Sequence, residues 1–262
     1  MFPQNWVGGA PFQLSPTGNL IAYIVIWAIC IAGIAFIIWR GRAAGFARWT
    51  TQDILILAIM GVLLEVYDNL IGDQFITPII NLIPYGRALA LNDLPYMFLL
   101  MTGIALIRKP GVATAMVFLN YILMQLLYSG SGINALMWPY GIFQGLFVDL
   151  YFVLRGRDIF TQANGRAVVD GLIMGALRAV PAVTVQSAIL GPFIEGSTRT
   201  GAYILLYSLF NMVGNGVEAA ISAPLAIRIA RSVNPSAGSE RYSAEDDTLA
   251  SPEGAVVQKE GA

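Results

Sequence analysis

Long apolar stretches separated by short polar segments run through most of the chain. They predict seven helices, near residues 19–39, 53–72, 92–107, 111–128, 133–154, 167–190 and 201–230. A stretch of about 20 apolar residues crosses the ~30 Å hydrocarbon core of a bilayer when it is helical. The pattern therefore predicts an all-α protein, a polytopic bundle of membrane helices.

A four-residue break, Arg108-Lys109-Pro110-Gly111, separates the third and fourth stretches. Pro110 and Gly111 do not readily continue a helix, so the break predicts a tight hairpin between two antiparallel helices. The adjacent cations Arg108 and Lys109 predict that this hairpin lies among the lipid headgroups.

Lys and Arg are unevenly distributed between the two sides of a bundle whose helices alternate in direction. One side has only Arg87 and Arg199, and the other side has ten basic residues. The ten are Arg40, Arg42, Arg48, Arg108, Lys109, Arg155, Arg157, Arg166, Arg228 and Arg231. Because cytoplasmic loops are enriched in Lys and Arg, we expect a multi-pass plasma-membrane protein with its N-terminus outside and its C-terminus in the cytoplasm.

Two segments are not predicted to span the membrane. Residues 73–91 are apolar but interrupted by Pro78, Pro84 and Gly86, which is typical of a re-entrant or interfacial loop. Residues 232–262 are rich in Ser, Gly, Pro and acidic side chains, which predicts a disordered cytoplasmic tail.

The composition agrees with a membrane protein and excludes several classes of function. The chain is 56% hydrophobic and 12% charged, whereas about a quarter of the residues in a soluble domain are charged. It has no His and a single cysteine, Cys30, so His-based catalytic triads, Cys-rich metal sites and an intramolecular disulfide are excluded. There is no P-loop and no long basic patch. We therefore predict no enzyme activity, no cofactor, no metal site and no nucleic-acid partner.

Polar side chains inside the predicted helices indicate a binding site, because such groups are costly in hydrocarbon. They converge on the outer halves of the second, fourth, fifth and seventh helices. The candidate substrate-binding residues are Glu65, Asp68, Asn120, Trp138, Tyr140, Gln144, Tyr207 and Asn211. Carboxylates, aromatic rings and amides together favour an outward-open, electronegative site for a cationic or amine-bearing aromatic ligand.

A structural interpretation of many of these groups stays open. Amides between membrane helices often serve as interhelical hydrogen bonds worth only ~0.6 kcal/mol. Arg178 is expected to neutralise Asp170 or Asp149. Even so, Glu65, Asp149, Asp170 and Glu218 outnumber the one deeply placed cation, and this excess favours a site.

Three segments carry a resemblance to a known family. They are WTTQDILILAIMG at 49–61, IRKPGVATA at 107–115 and GSGINALMWPYGIFQGLFVDLYFVLRG at 130–156. Residues 49–231 thereby resemble the substrate-binding S components of energy-coupling-factor (ECF) vitamin transporters, and most nearly the thiamine-related YkoE family. The likeness rests above all on the Arg-Lys-Pro-Gly hairpin, followed one helix later by Gln144, Gly145 and Asp149.

The resemblance implies a ligand-capturing subunit for thiamine or its hydroxymethylpyrimidine precursor, which are vitamin-like cationic or aromatic ligands. Its partners would be a membrane coupling subunit and two ABC ATPases. It also implies that loop 73–91 acts as a lid. The docking residues would be Ala58, Gly61, Arg108 and Lys109.

The same resemblance divides the chain into three parts. Residues 1–48 form an extracellular N-terminus and an additional transmembrane helix, 49–231 form a six-helix S-component-like domain, and 232–262 form the tail. Two other functions stay open. One is a structural or accessory subunit of a larger membrane complex. The other is an autonomous ion-coupled transporter that uses Asp149 or Glu218 as a proton relay.

Overall fold

A computed structural model of the protein describes residues 2–128 and 133–233. Seven long helices dominate these residues. They are α1 (Pro16–Ala43), α2 (Thr51–Glu65, continuing to Ile80), α3 (Leu94–Ile107), α4 (Val112–Tyr128), α5 (Trp138–Arg155), α6 (Gly165–Val185, continuing to Glu195) and α7 (Gly201–Val233). The predicted all-α bundle and its seven helices are confirmed.

Side-chain caps define where several helices begin. Ser15 Oγ accepts a hydrogen bond from the Gly18 amide (3.1 Å) at the start of α1. At the start of α2, Thr50 and Asp53 form a reciprocal capping box, with the Thr50 amide donating to Asp53 Oδ2 (2.6 Å). Asn164 caps α6 by accepting from two amides of its first turn. These caps satisfy backbone donors that the helix itself leaves unpaired.

Six of the helices close a ring, and α1 lies outside it. Around the ring, α2 packs on α4, α4 on α5, α5 on α6, α6 on α7, α7 on α3, and α3 on α2. Helix α1 packs on α5, with Leu146 seated over Gly33. The arrangement of a six-helix bundle with one additional N-terminal helix matches the sequence prediction.

Five helical stretches of the described residues are long and apolar enough to cross a membrane. They are Pro16–Ala43, Thr51–Ile80, Ala135–Arg155, Gly165–Glu195 and Gly201–Val233. Helices α3 and α4 are shorter, and α3 has only 14 residues. Nine of those 14 residues are buried, because α3 is packed against α2, α4 and α7. Its apolar sequence therefore reflects contact with other helices as much as with lipid.

The prediction of a loop over residues 73–91 is wrong for its first half. Helix α2 continues through a π-helical segment, Val66–Ile76, and a final turn, Thr77–Ile80. Pro78 is tolerated because it lies in the first turn of that final segment. Only residues 81–90 form turns, and they lead to a short 3₁₀ turn, Leu91–Asp93.

The predicted hairpin at Arg108–Gly111 is confirmed, and α5 holds it in place. Arg108 and Gly111 both have positive φ, of 48° and 90°. The Asp149 carboxylate accepts hydrogen bonds from the amides of Ala113 (3.3 Å) and Thr114 (2.6 Å), and so caps the start of α4 from another helix. A Cβ atom on Gly145 would lie 2.6 Å from the Ala113 carbonyl oxygen, so only glycine permits this approach.

The chain segments at the two ends of the sequence have different outcomes. Before α1, a helical turn (Gln4–Val7) leads to β1 (Pro11–Phe12), which pairs antiparallel with β2 (Arg199–Thr200) just before α7. After α7, the predicted tail at 232–262 begins within the helix, which continues to Val233. The rest of the predicted tail lies outside the described residues.

Candidate functional site

A cavity of about 380 Å³ lies inside the ring, at the end where α3 begins. Each of the six ring helices lines it, and among the described residues α1 contributes nothing to its wall. One lining residue from each ring helix is Asp68, Tyr96, Asn120, Tyr140, Arg178 and Tyr207. We call this end of the bundle the cavity end. The opposite end, which has the ten Lys and Arg residues named above, is the basic end.

Six of the eight residues predicted to bind substrate line this cavity. They are Asp68, Asn120, Tyr140, Gln144, Tyr207 and Asn211. Glu65 and Trp138 do not line it. The cavity thus lies where the polar residues of the predicted helices converge. That these residues bind a ligand stays a prediction.

Asp68 is the carboxylate of the cavity that is free to meet a ligand. It is half-buried in the π-helical part of α2, and no hydrogen bond or ion pair joins it to another residue in 2–128 or 133–233. The π-helical segment starts at Val66, between Glu65 and Asp68. A π-helical turn contains more residues than an α-helical turn, so the two acids do not lie on the same face of α2. Glu65 is buried, whereas Asp68 lines the cavity.

Arg178 lies on the wall of the cavity and is held by three neighbours. Its guanidinium donates to Asp93 Oδ2 (3.1 Å) and Asn215 Oδ1 (2.6 Å), and it stacks 4.1 Å from the centre of the Tyr96 ring. Its Nε is buried and has no hydrogen-bond partner among the described residues. Arg178 therefore keeps one donor that is not used by the protein.

The predicted pairing of Arg178 with Asp170 or Asp149 is wrong. Asp170 accepts from Arg155 Nε (3.2 Å) and from the Tyr151 hydroxyl (2.6 Å) near the basic end. Asp149 caps α4, as described above. The partner of Arg178 is an acid in the turn before α3, which helical spacing could not reveal.

The predicted electronegative character of the site needs correction. Two acids, Asp68 and Asp93, and two cations, Arg87 and Arg178, line the cavity. Asp93 and Arg178 neutralise each other. Asp68 and Arg87 are left without an ion pair among the described residues. The cavity is thus balanced in formal charge, with one free carboxylate inside and one exposed guanidinium at its edge.

Glu65 lies behind the cavity wall and orients two residues that form it. Its carboxylate accepts hydrogen bonds from Asn69 Nδ2 and from Asn120 Nδ2, both at 2.8 Å. Glu65 is only 2% exposed, so it does not reach the cavity itself. It therefore contacts two lining side chains rather than the cavity, and the part that it plays in binding stays a prediction.

Aromatic rings form much of the remaining wall. Tyr140 and Tyr121 pack edge to face, with their ring centres 5.4 Å apart, and both line the cavity. Trp138, by contrast, packs against Phe118 at 5.5 Å, away from the cavity. The proline that follows it, Pro139, lies in the first turn of α5, which starts the helix with Tyr140 turned inward and Trp138 turned towards α4.

A stripe of polar residues on α7, formed by Tyr207, Asn211 and Glu218, connects the cavity to the 81–90 segment. The Tyr207 hydroxyl donates to the Arg87 carbonyl and Asn211 Nδ2 donates to the Ala88 carbonyl, each at 3.5 Å. Deeper in the bundle, both carboxylate oxygens of Glu218 are buried without a hydrogen-bond partner in the described part of the chain. At one end the stripe therefore contacts the 81–90 segment, which we call the rim of the cavity, and at its other end lies a buried acid.

An aromatic cluster lies beside the rim at the cavity end. The Phe2 ring is 5.1 Å from Phe210, 6.0 Å from Tyr85 and 6.5 Å from Tyr207. Trp6 stacks on Tyr85, and the Thr200 hydroxyl donates to the Val7 carbonyl (2.6 Å). The N-terminal segment is thus attached to the same end of α7 that lines the cavity.

The residues predicted for partner docking are mainly used within the chain. Gly61 is buried against Leu119 of α4, and Ala58 is half-buried. Lys109 forms an ion pair with Asp53 and donates to the Arg48 carbonyl (2.7 Å). Arg108 donates to the Arg157 carbonyl (3.1 Å). Gly61 is therefore not on a free surface, and docking through these four residues stays a prediction.

Sequence reasoning missed several residues that line the cavity. They are Asn69, Arg87, Asn92, Asp93, Tyr96, Tyr121 and Gln186. Arg87 belongs to the segment assigned to the outer loop, and Asp93 lies at the start of the predicted third helix. Gln186 lies on α6, which the predicted convergence did not include, and its Oε1 is buried and has no partner among the described residues. The signal for Tyr121 was its place in the middle of an apolar stretch, away from the interfaces where tyrosine is common. Tyr96 is the third residue of α3 and gave no such signal.

A comparison with protein families finds a similarity to a transport family over part of the chain. Residues 52–165 match the family described as ABC-type cobalt transport system, permease component. The match covers 114 of the 262 residues, from α2 to the start of α6. No curated protein and no solved structure matches the chain. The match supports a membrane component of an ABC-type transport system and leaves α1 outside the matched region.

Proposed function

We propose that this protein is the substrate-capturing membrane subunit of an ECF-type ABC importer, and that its ligand is thiamine or the hydroxymethylpyrimidine precursor. The observation that carries the proposal is the cavity at one end of the six-helix ring, with an unpaired Asp68 among tyrosines and amides. Such a site is concave, partly aromatic and equipped with a few oriented polar groups, as small-molecule sites usually are.

The free groups of the cavity support an organic ligand with both donors and acceptors. The Asp68 carboxylate can accept from an exocyclic amine, and the Gln144 amide can donate to a ring nitrogen or accept from a hydroxyl. Tyr121 and Tyr140 provide ring faces and edges for an aromatic or cationic heterocycle.

The description of the matched family names cobalt, which gives a second candidate substrate. Cobalt prefers imidazole, thiolate or carboxylate ligands in a defined geometry. In residues 2–128 and 133–233 no group of three or more His, Cys, Asp or Glu side chains is placed to hold a metal ion. This observation favours an organic ligand over a bare Co²⁺ ion.

The proposed partners are a membrane coupling subunit and ABC ATPases. The chain has no P-loop of its own, so energy from ATP would be supplied by other subunits. The family match supports this arrangement, since it describes one component of an ABC-type system. Glu218 is a buried acid, so the alternative of an autonomous transporter with Glu218 as proton relay can be tested by substituting it.

The test is equilibrium binding of thiamine, hydroxymethylpyrimidine and Co²⁺ to the purified full chain in detergent, measured by isothermal titration calorimetry. We expect one of the two organic ligands to bind and Asp68→Asn to weaken that binding by about 10- to 100-fold, because a hydrogen bond to a charged group contributes about 1.5–3 kcal/mol. Asp73→Asn is the matched control, since Asp73 is an exposed acid of the same π-helical segment that does not line the cavity.

Binding of Co²⁺ alone would contradict the proposed ligand class. Equal affinity in Asp68→Asn and in the unmodified chain would contradict the site. Uptake of ligand by vesicles that contain only this chain, driven by a proton gradient and abolished by Glu218→Gln, would favour the autonomous transporter instead.

A further inference from the structure

We propose that a groove at the basic end of the bundle is a binding site for an anionic phospholipid. The groove is independent of the cavity, because no residue lines both. It lies between the end of α1, the connection to α2 and the hairpin at Pro110, and it encloses about 950 Å³.

The walls of the groove combine an apolar face with two cations. Ile37 and Ile38, in the last turns of α1, form the apolar side together with Pro110. Arg42 and Arg48 also line the groove, and both are exposed. A phospholipid carries the complementary groups, which are apolar acyl chains and an anionic phosphate.

The two arginines are available for an anion. Neither guanidinium takes part in a hydrogen bond or an ion pair within residues 2–128 and 133–233. The nearest acid in the connection, Asp53, is already occupied by Lys109. One planar guanidinium can donate two parallel hydrogen bonds to the oxygens of a phosphate, whereas the ammonium of lysine acts as a hydrated point charge.

The position of the groove favours lipid over a soluble anion or a segment of protein. Helix α1 is the least covered spanning helix, with only 17% of its most apolar window buried, so most of its surface faces the bilayer. Trp49 lines the groove and is 38% exposed, and Trp39 is 64% exposed one turn before Ala43. Indole rings at helix ends are typical of the membrane–water interface, where phosphates lie. Basic pockets between helix ends are a recurrent site for anionic headgroups.

The experiment uses Trp49 as the reporter. The full chain and its Trp49→Phe variant are reconstituted in phosphatidylcholine nanodiscs with increasing fractions of brominated phosphatidylglycerol. The difference between their fluorescence gives the emission of Trp49 alone. We expect this emission to be half-quenched at a much lower fraction of brominated phosphatidylglycerol than of brominated phosphatidylcholine.

Two double variants with the same change in charge separate a site from general attraction. Arg42→Gln/Arg48→Gln is expected to raise the half-quenching fraction at least about tenfold, since a hydrogen bond between a guanidinium and a phosphate contributes about 1.5–3 kcal/mol. Arg166→Gln/Arg228→Gln, two exposed cations of the same end outside the groove, is the control and should leave it unchanged. Circular dichroism checks that both keep their helical content.

Three results would overturn the proposal. The first is equal quenching by the two brominated lipids. The second is an equal shift in both double variants, which would indicate only the field of the basic end. The third is release of phosphatidylglycerol by an equal concentration of inorganic phosphate, which would indicate a site for a soluble anion.

Discussion

The two ends of the six-helix ring use the same kinds of residue for different purposes. At the basic end, the Asp149 carboxylate accepts hydrogen bonds from backbone amides of α4, and Gly145 allows the backbones of α4 and α5 to approach closely. At the cavity end, Asp68 keeps its acceptors and Tyr140 keeps a free surface. An acid inside a membrane helix is therefore evidence of a ligand only when the protein itself does not satisfy it.

The connections of α3 and α4 differ between the two ends. A four-residue hairpin joins the two helices at the basic end, where Gly145 brings α5 against the backbone of α4. At the cavity end the same two helices are connected to other elements by longer segments, and the side chains of the ring enclose about 380 Å³. Space enclosed by polar side chains is the condition for a small-molecule site.

The largest expected effect is at the basic end, with Gly145→Ala. The added methyl group would meet the backbone of Ala113, which cannot move without displacing α4. We expect a loss of about 2 kcal/mol in the free energy of unfolding. The measurement is the unfolding transition in detergent followed by circular dichroism.

The control for this variant is Gly165→Ala, where a new Cβ would meet no atom within 4 Å. It should leave the transition unchanged. If the Gly145→Ala protein is as stable as the unmodified chain, the close approach of α5 to α4 does not stabilise the basic end.

A smaller effect is expected for Glu65→Gln at the cavity end. The amide can accept from only one of Asn69 and Asn120, so one lining side chain loses its orientation. We expect ligand affinity to fall about tenfold, because one hydrogen bond to a charged group is lost, with little change in the rates of association. Stopped-flow binding measures both quantities.

The result sharpens the comparison when it is set beside Asp73→Asn. Asp73 is an exposed acid further along α2 that does not line the cavity, so the affinity should not change. An unchanged affinity in Glu65→Gln would show that the wall of the cavity does not depend on the buried carboxylate.

The smallest expected effect concerns the rim. Phe2→Ala removes the ring that contacts Tyr85, Tyr207 and Phe210, so the N-terminal segment should detach more often. We expect ligand to dissociate about threefold faster, since an aromatic pair contributes about 0.5–1.5 kcal/mol. The half-life of bound radiolabelled ligand measures it.

Phe12→Ala is the comparison variant, because Phe12 is exposed and belongs to the same N-terminal segment without joining the cluster. Identical dissociation rates in all three proteins would show that the segment does not govern exit from the cavity.

Much of the cavity followed from the sequence because its residues lie on predictable helices. Asn120, Tyr140, Gln144, Tyr207 and Asn211 are polar or amphipathic positions in apolar stretches, and the alternation of helix direction places them at one end. The choice of that end as extracellular rests on the distribution of Lys and Arg and stays a prediction.

The parts that could not be predicted depend on the direction in which a side chain leaves its helix and on contacts between distant segments. The π-helical segment of α2 separates Glu65 from Asp68, which an α-helical spacing assigns to one face. Trp138 and Tyr140 differ in direction because of packing against Phe118 and Tyr121. The partner of Arg178 is 85 residues away in the chain.

The sequence by itself determined that the chain is a bundle of membrane helices, where its hairpin lies and which end is basic. Hydrophobic length and charge distribution decide these features, and both are local properties of the chain. Only the tertiary structure decided which acids are free, which glycines are contact points and where a cavity remains. Those outcomes depend on how helices from distant parts of the chain fit against one another, because a buried polar group is satisfied or left open by its neighbours in space.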